Sequence, residues 1–170
     1  HAAIAATFSL TKADELLLLL VHLDPRDEDH RLSEMQYLLQ QTKSFPNAII
    51  MGDFNSLSPH DSYDENELLM RLQEQHITKF GENRLRFNVI TAVETAGFVD
   101  AAQLMGYPWT PTVPTSANKD TAHAAPLRLD YAFLSPPLAE RCARFEVVQT
   151  EWSRNASDHY PIAVDLTDEV

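Results

Sequence analysis

The run from Leu16 to Val21 constrains this chain more than any other feature. Residues 15–23 read ELLLLLVHL. The run is far short of the ~20 apolar residues that span a bilayer. It is also too unbroken for a surface strand, which alternates apolar and polar positions. It predicts a central strand buried on both faces of a sheet, with a buried helix as the alternative. Asp24-Pro25 stops the strand, because proline fixes its own φ and restricts the residue before it. Residues 4–10 (IAATFSL) read as a strand and Thr11 to Asp14 as a polar turn, so the two strands form a hairpin.

A helix follows over 27–43, with Leu32, Met35, Leu38 and Leu39 on one face at helical spacing. Asp27, Glu28 and Asp29 fall in its first turn, where the helix dipole favours them, and read as a solvated helix start. Phe45-Pro46-Asn47 is a turn. Ala48 to Met51 is a short buried strand ending at Gly52. Residues 53–64 (DFNSLSPHDSYD) are loop-like. Helices are expected over 65–75 and 87–96, the second ending at Gly97. Residues 106–126, with Pro108, Pro111, Pro114 and Pro126, form a long irregular loop of the kind that more often carries function than not. Strands follow at 129–134, 144–150 and 161–166. This order points to an α+β (α/β layered) domain.

The 170 residues suit one domain with a real core. The net charge of −12 argues against binding polyanions by bulk charge. Nucleic acid would need metal ions, a local basic patch or a basic partner segment. The single cysteine, Cys142, excludes a disulfide within the chain and a Cys-rich zinc site. It reads as an apolar filler. One cysteine fits a reducing compartment, so a cytoplasmic or nuclear location is expected. His1 to Ala6 has no basic region of a signal peptide. The first residue is His rather than Met, which suggests a piece of a longer protein.

Three polar clusters each sit at the end of an apolar strand. Gly52-Asp53-Phe54-Asn55 follows AIIM, and strand ends are where α/β sheets present ligand-binding groups. Asp53 and Asn55, two apart, point the same way if the segment stays extended. The carboxylate can orient a water or share a metal, and the amide can donate to a phosphate oxygen. A plain turn is the alternative. In Arg128-Leu129-Asp130-Tyr131, Asp130 lies in a strand-like run where a carboxylate must be paired or ligated. A salt bridge to Arg128 is the structural alternative. In Ser157-Asp158-His159-Tyr160-Pro161, the imidazole needs a carboxylate to fix its tautomer, and Asp130 on a neighbouring strand can supply it. His30, His60, His76 and His123 show no ligand spacing and read as surface residues. Trp109 reads as a loop anchor.

Together the three clusters resemble the endonuclease/exonuclease/phosphatase superfamily, the deoxyribonuclease I-like fold. Val21-His22-Leu23 is similar to that family's strand-end histidine motif, and residues 96–101 (AGFVDA) resemble the stretch after its helix. The motifs come in the family's order and cover about residues 7–167. Its members, among them abasic-site endonucleases, sphingomyelinases, inositol polyphosphate phosphatases and deadenylases, cleave phosphoesters with a divalent metal. The resemblance implies a metal-dependent phosphodiesterase, nuclease or phosphatase using Mg²⁺ or Mn²⁺. Asp53 would orient or deprotonate the attacking water and share metal binding with Asp158. Asn55 and His22 would contact phosphate. His159, paired with Asp130, would stabilise charge on the phosphoryl oxygens. The substrate would be nucleic acid, a phospholipid head group or a small phosphate ester.

One part of the family's pattern is absent. Its N-terminal half carries an early Asn and a metal-binding Glu at strand ends, and no such motif lies among the 21 residues before His22. Residues 1–170 are therefore expected to be the C-terminal portion of one deoxyribonuclease I-like four-layer sandwich, lacking its N-terminal strands. A missing segment or a second chain would complete it. The alternative is a catalytically inactive binding or structural half-domain.

Overall fold

A computed structural model describes residues 1–9, 15–117, 123 and 125–167. In chain order the elements are β1 (Ala2–Ser9), β2 (Glu15–His22), α1 (Glu28–Thr42), β3 (Asn47–Asp53), α2 (Glu65–Glu74), α3 (Asn88–Thr95), β4 (Val99–Asp100), α4 (Ala101–Leu104), β5 (Asp130–Leu134), α5 (Pro136–Ala139), β6 (Cys142–Val147), α6 (Ser153–Ala156) and β7 (Ile162–Leu166). The expected turn at Thr11 to Asp14 lies outside the described residues, as does Leu10. The last expected strands are shifted: β6 starts at Cys142 and ends at Val147 rather than spanning 144–150. The short elements β4, α4, α5 and α6 carry too few residues for a periodic signal.

Five strands form one sheet in the order β1-β2-β3-β5-β4, and β6 pairs with β7 in a second. β2 runs parallel to β3, and β3 antiparallel to β5. On one face of the large sheet, Leu17, Leu19, Val21, Ile50 and Phe133 pack against Met35 and Leu38 of α1 and Val89, Ile90 and Val93 of α3. On the other face, Ile49, Ala132 and Leu134 pack against Phe145 and Val147 of β6. The architecture is the layered α+β one expected.

β2 is an apolar strand, but it is not buried equally on both faces. Leu17, Leu19 and Val21 are buried under the helices, whereas Leu16 and Leu18 are only partly covered and Leu20 is exposed. The second sheet reaches the first two and leaves the third open. The start of α1 also differs from expectation. Asp27 is the N-cap and accepts from the His30 amide, as a capping aspartate should. Glu28, however, is buried and paired with the fully buried Arg31 at 2.8 Å. The first turn is thus a capped end holding an internal ion pair, with Asp29 as its solvated acid.

The long proline-rich loop is anchored. Val113 pairs with Leu127 as an isolated bridge. Both enter a third core cluster with Leu57, Leu68, Leu72, Phe80 and Leu85. This cluster fastens the loops that follow β3 and precede β5, and so fixes the ends of those strands.

Candidate active site

Strand pairing brings the sequence clusters into one row. His22 is the register partner of Asp53 across the parallel β2/β3 pair, and Asp53 is the partner of Asp130 across the antiparallel β3/β5 pair. The three side chains come from strands up to 108 positions apart in sequence. They stand together because the C-terminal ends of β2 and β3 lie beside the N-terminal start of β5.

The turn after β3 is built for close approach. Gly52 has φ +128°, and a Cβ there would stand 2.2 Å from the Val21 carbonyl oxygen, so only glycine fits. Buried Asn55 adopts φ 49°, a left-handed geometry that asparagine tolerates better than most residues. Its amide Nδ2 donates to Asp53 Oδ2 at 2.9 Å and to the Leu23 carbonyl at 3.2 Å, and its backbone N–H donates to Asp53 Oδ1 at 2.7 Å. Both carboxylate oxygens of Asp53 are thereby oriented.

His159 arrives from the segment before β7. Its Nδ1 lies 2.8 Å from Asp130 Oδ2, and its Nε2 lies 3.9 Å from Asp53 Oδ2. His22 Nε2 lies 3.5 Å from the same Asp53 oxygen. Thr112 joins the two halves. Its hydroxyl accepts from the amides of Leu129 and Asp130, and its carbonyl accepts from the Tyr160 amide at 2.8 Å. Thr115 donates to the Ser157 carbonyl. The proline-rich loop therefore holds both the start of β5 and the Asp158-His159 segment.

Electrostatics follow from this crowding. Burial, with the Asp130 charge beside it, pushes the Asp53 carboxyl above its usual value, against the opposing pull of His159, the Asn55 amide and His22. Burial pulls the His159 imidazole down, but its hydrogen bond to Asp130 and the charges of Asp130, Asp53 and Asp158 outweigh this and raise it above 6.5. Asp53, Asp130 and His159 offer ligand atoms that all lie within 4.8 Å of one another, a possible metal site. Asp158 is exposed and stands outside that trio, although the sequence placed it with Asp53 as a metal ligand.

An open cleft of about 540 Å³ gathers all six sequence candidates: His22, Asp53, Asn55, Asp130, Asp158 and His159. Besides Pro25, three further residues line it that sequence reasoning did not assign to the site: Arg26, Lys79 and His123. His123, expected at the surface, is buried with its ring 6.4 Å from that of His159. No local pattern marks these three, because each comes from an irregular segment placed by tertiary packing. Trp109 lines a different cleft. Arg128 does not pair with Asp130. It bridges Asp61 at 2.9 Å and Asp100 at 2.8 Å, which leaves Asp130 for His159.

A layered α+β domain with these polar residues at one end of its sheet belongs to the deoxyribonuclease I-like class of folds. Within that class the chain belongs to the Endonuclease/Exonuclease/phosphatase family, whose model matches residues 10–159. Solved structures agree in fold. A 3′ phosphatase from Neisseria, bound to product DNA hairpin, superposes with a TM-score of 0.69 at 16% identity over 97% of this chain and 64% of that one. An AP endonuclease from Archaeoglobus fulgidus gives 0.62 at 18% over 89% and 61%. A mannosyl-6-phosphatase from Bacteroides thetaiotaomicron gives 0.55 at 20% over 92% and 52%. The chain thus spans less than two thirds of the length of these relatives. Among curated protein sequences none matches. Among the described residues, no helix is long and apolar enough to cross a membrane.

Proposed function

We propose that this chain carries the catalytic centre of a divalent-metal-dependent phosphoester hydrolase. The observation that carries the reading is the row His22–Asp53–Asp130 with His159 bonded to Asp130. Asp53 accepts a proton from the attacking water, with both its oxygens held by Asn55. Asn55 orients that carboxylate, its two Nδ2 hydrogens being given to Asp53 and to the Leu23 carbonyl. His159, kept protonated by Asp130, faces the charge that grows on the phosphoryl oxygens. His22 contacts the phosphate.

The donor set fits a hard divalent cation. Asp53 and Asp130 are neighbouring carboxylates whose mutual repulsion a cation would relieve, and Mg²⁺ or Mn²⁺ prefers oxygen ligands and retained waters. Asp53 and Asp130 would hold it, and Asp158 lines the same cleft. When bound, the ion supplies charge neutralisation at the phosphoryl oxygens. The named activities of the Neisseria and Bacteroides proteins support phosphate ester substrates, which include nucleic acid, phospholipid head groups and small esters.

The test is hydrolysis of bis-p-nitrophenyl phosphate and p-nitrophenyl phosphate with Mg²⁺ or Mn²⁺. The expected result is chelator-sensitive turnover that Asp53→Asn and His159→Gln abolish. Turnover that survives both substitutions would sink the reading.

A second reading rests on a separate observation. Ile4, Phe8 and Leu20 are 62%, 49% and 40% exposed, on the face of the sheet that β6 and β7 cover elsewhere. This favours a half-domain, the C-terminal portion of one unit, that another segment or chain completes. It is supported if residues 1–170 alone are inert while a longer polypeptide with further strands hydrolyses the same esters.

A further inference from the structure

The cleft that holds the carboxylates is also lined by two cationic residues. Arg26 lies in the loop between β2 and α1, and Lys79 in the segment between α2 and α3. Both line the cleft on a chain with 13 Lys and Arg against 25 Asp and Glu. The two cations come from different loops and meet at the same cleft as Asp53, Asp130 and Asp158.

Their placement is fixed from beneath. Arg31 is fully buried, and all three of its guanidinium nitrogens donate. Nη1 donates to the Asp24 carbonyl at 2.8 Å, Nε to Ser56 Oγ at 3.0 Å, and Nη2 to the Lys79 carbonyl as well as to Glu28 at 2.8 Å. One side chain therefore fastens the loop of Arg26, the turn of Asn55 and the segment of Lys79. The Asp24 carboxylate adds a second tie, accepting from the Arg26 amide at 2.6 Å and the Asp27 amide at 3.0 Å. Burying an arginine is costly unless its donors are all used, and here they are used to join three loops at one cleft. The Arg26 side chain makes no ion pair among the described residues.

We propose that Arg26 and Lys79 form a subsite for a second phosphate, joined to the scissile one through a spacer such as a sugar. The inference deepens the phosphoesterase reading and rests on it. The scissile phosphate meets the imidazoles beside the strand row, His22 and His159. Arg26 and Lys79 come from the two loops beyond that row and meet the next phosphate along. Arginine suits phosphate through its planar fork of donors, and lysine through its compact charge. The preferred substrates are then esters carrying at least two phosphates, whether a small bisphosphate or a polynucleotide.

The experiment is calorimetric binding in EDTA, where metal-dependent turnover cannot consume the ligand. Thymidine 3′,5′-bisphosphate is compared with thymidine 5′-monophosphate. The expected preference is about tenfold for the bisphosphate, the size of one added charge-assisted contact. Arg26→Met and Lys79→Met each reduce that ratio, and the double variant brings it to about one, while Lys79→Arg retains it. A wild-type ratio near one, or a preference that survives the double variant, overturns the subsite. A tetrathymidylate that binds tighter than the bisphosphate, in a manner dependent on both cations, assigns it to polynucleotides. Equal affinity assigns it to small bisphosphates. The phosphoesterase reading fails on a different readout, the nitrophenyl ester assay, so the two failures are distinguishable.

Discussion

Two charge networks lie within a few residues of each other and are built from the same kinds of groups. Around Arg31, the Glu28 carboxylate accepts from the guanidinium, from Ser56 Oγ at 3.2 Å and from the Val89 amide at 3.3 Å, all buried. Around His159, Asp130 holds one imidazole nitrogen, while the other stands 3.9 Å from Asp53 and the cleft is open. In the first network the donors and acceptors are spent on each other. In the second, some face a space of substrate size. The difference separates a network that holds loops from one that has capacity left for chemistry. It also explains the opposing pKa pushes, which arise where carboxylates are crowded without a full set of internal partners.

The largest test of this contrast is removal of the open network's reacting groups. Asp53→Asn or His159→Gln should lower kcat for nitrophenyl esters by about 10²–10⁴-fold, the usual worth of a positioned acid or base. Since the charged form of Asp53 is disfavoured in the fold, Asp53→Asn should leave urea stability at pH 7 unchanged or higher. A large stability loss would mean that the open network is structural after all.

The closed network should respond in the opposite way. Arg31→Met strands Glu28 in the interior and should cost about 3–5 kcal/mol in urea unfolding. The paired change Arg31→Met with Glu28→Met should recover part of it. Full stability in the single variant would break the distinction.

Gly52 sits where the two kinds of role meet. Gly52→Ala puts a methyl against the Val21 carbonyl at a φ that L residues rarely adopt. It should cost about 1–3 kcal/mol and lower turnover as well, because Asp53 is the next residue. A stability loss with unchanged turnover would show that the row tolerates displacement.

The pH profile is the smallest effect and the sharpest. His159 has a folded pKa above its ordinary 6.5. Its imidazolium, and the stability its partners give it, is fully present below 6.5 and is lost as pH rises through the raised folded value. The alkaline limb of kcat/KM should therefore lie above 6.5, and Asp130→Asn should move it down. A limb that does not move would remove Asp130 from the role of partner.

Much of the fold could be read locally. The ELLLLLVHL run, the spacing of Leu32, Met35 and Leu38 and the AIIM segment each mark an element, since side-chain period and apolar run length are properties of neighbouring residues. The acidic start of α1 was also visible, but neither the capping role of Asp27 nor the burial of Glu28 was. Its partner Arg31 goes inside only because Ser56 and the Lys79 carbonyl, 25 and 48 residues on, are there to meet it. In the same way the alternative of an Arg128–Asp130 salt bridge could not be dismissed locally, and it is Asp61 and Asp100, far away in sequence, that take Arg128. His123 carried no signal, since a lone histidine in a loop has none.

By itself, then, the sequence determined the family, the strands and the six candidate residues at strand ends, because these depend on short-range pattern and residue chemistry. The tertiary structure alone decided that His22, Asp53 and Asp130 form a row, that Arg128 turns away from Asp130, and that Arg26 and Lys79 share their cleft. Those facts depend on register and loop anchoring between strands far apart in the chain. A one-residue slip in register would turn His22, Asp53 or Asp130 to the opposite face while leaving each motif intact.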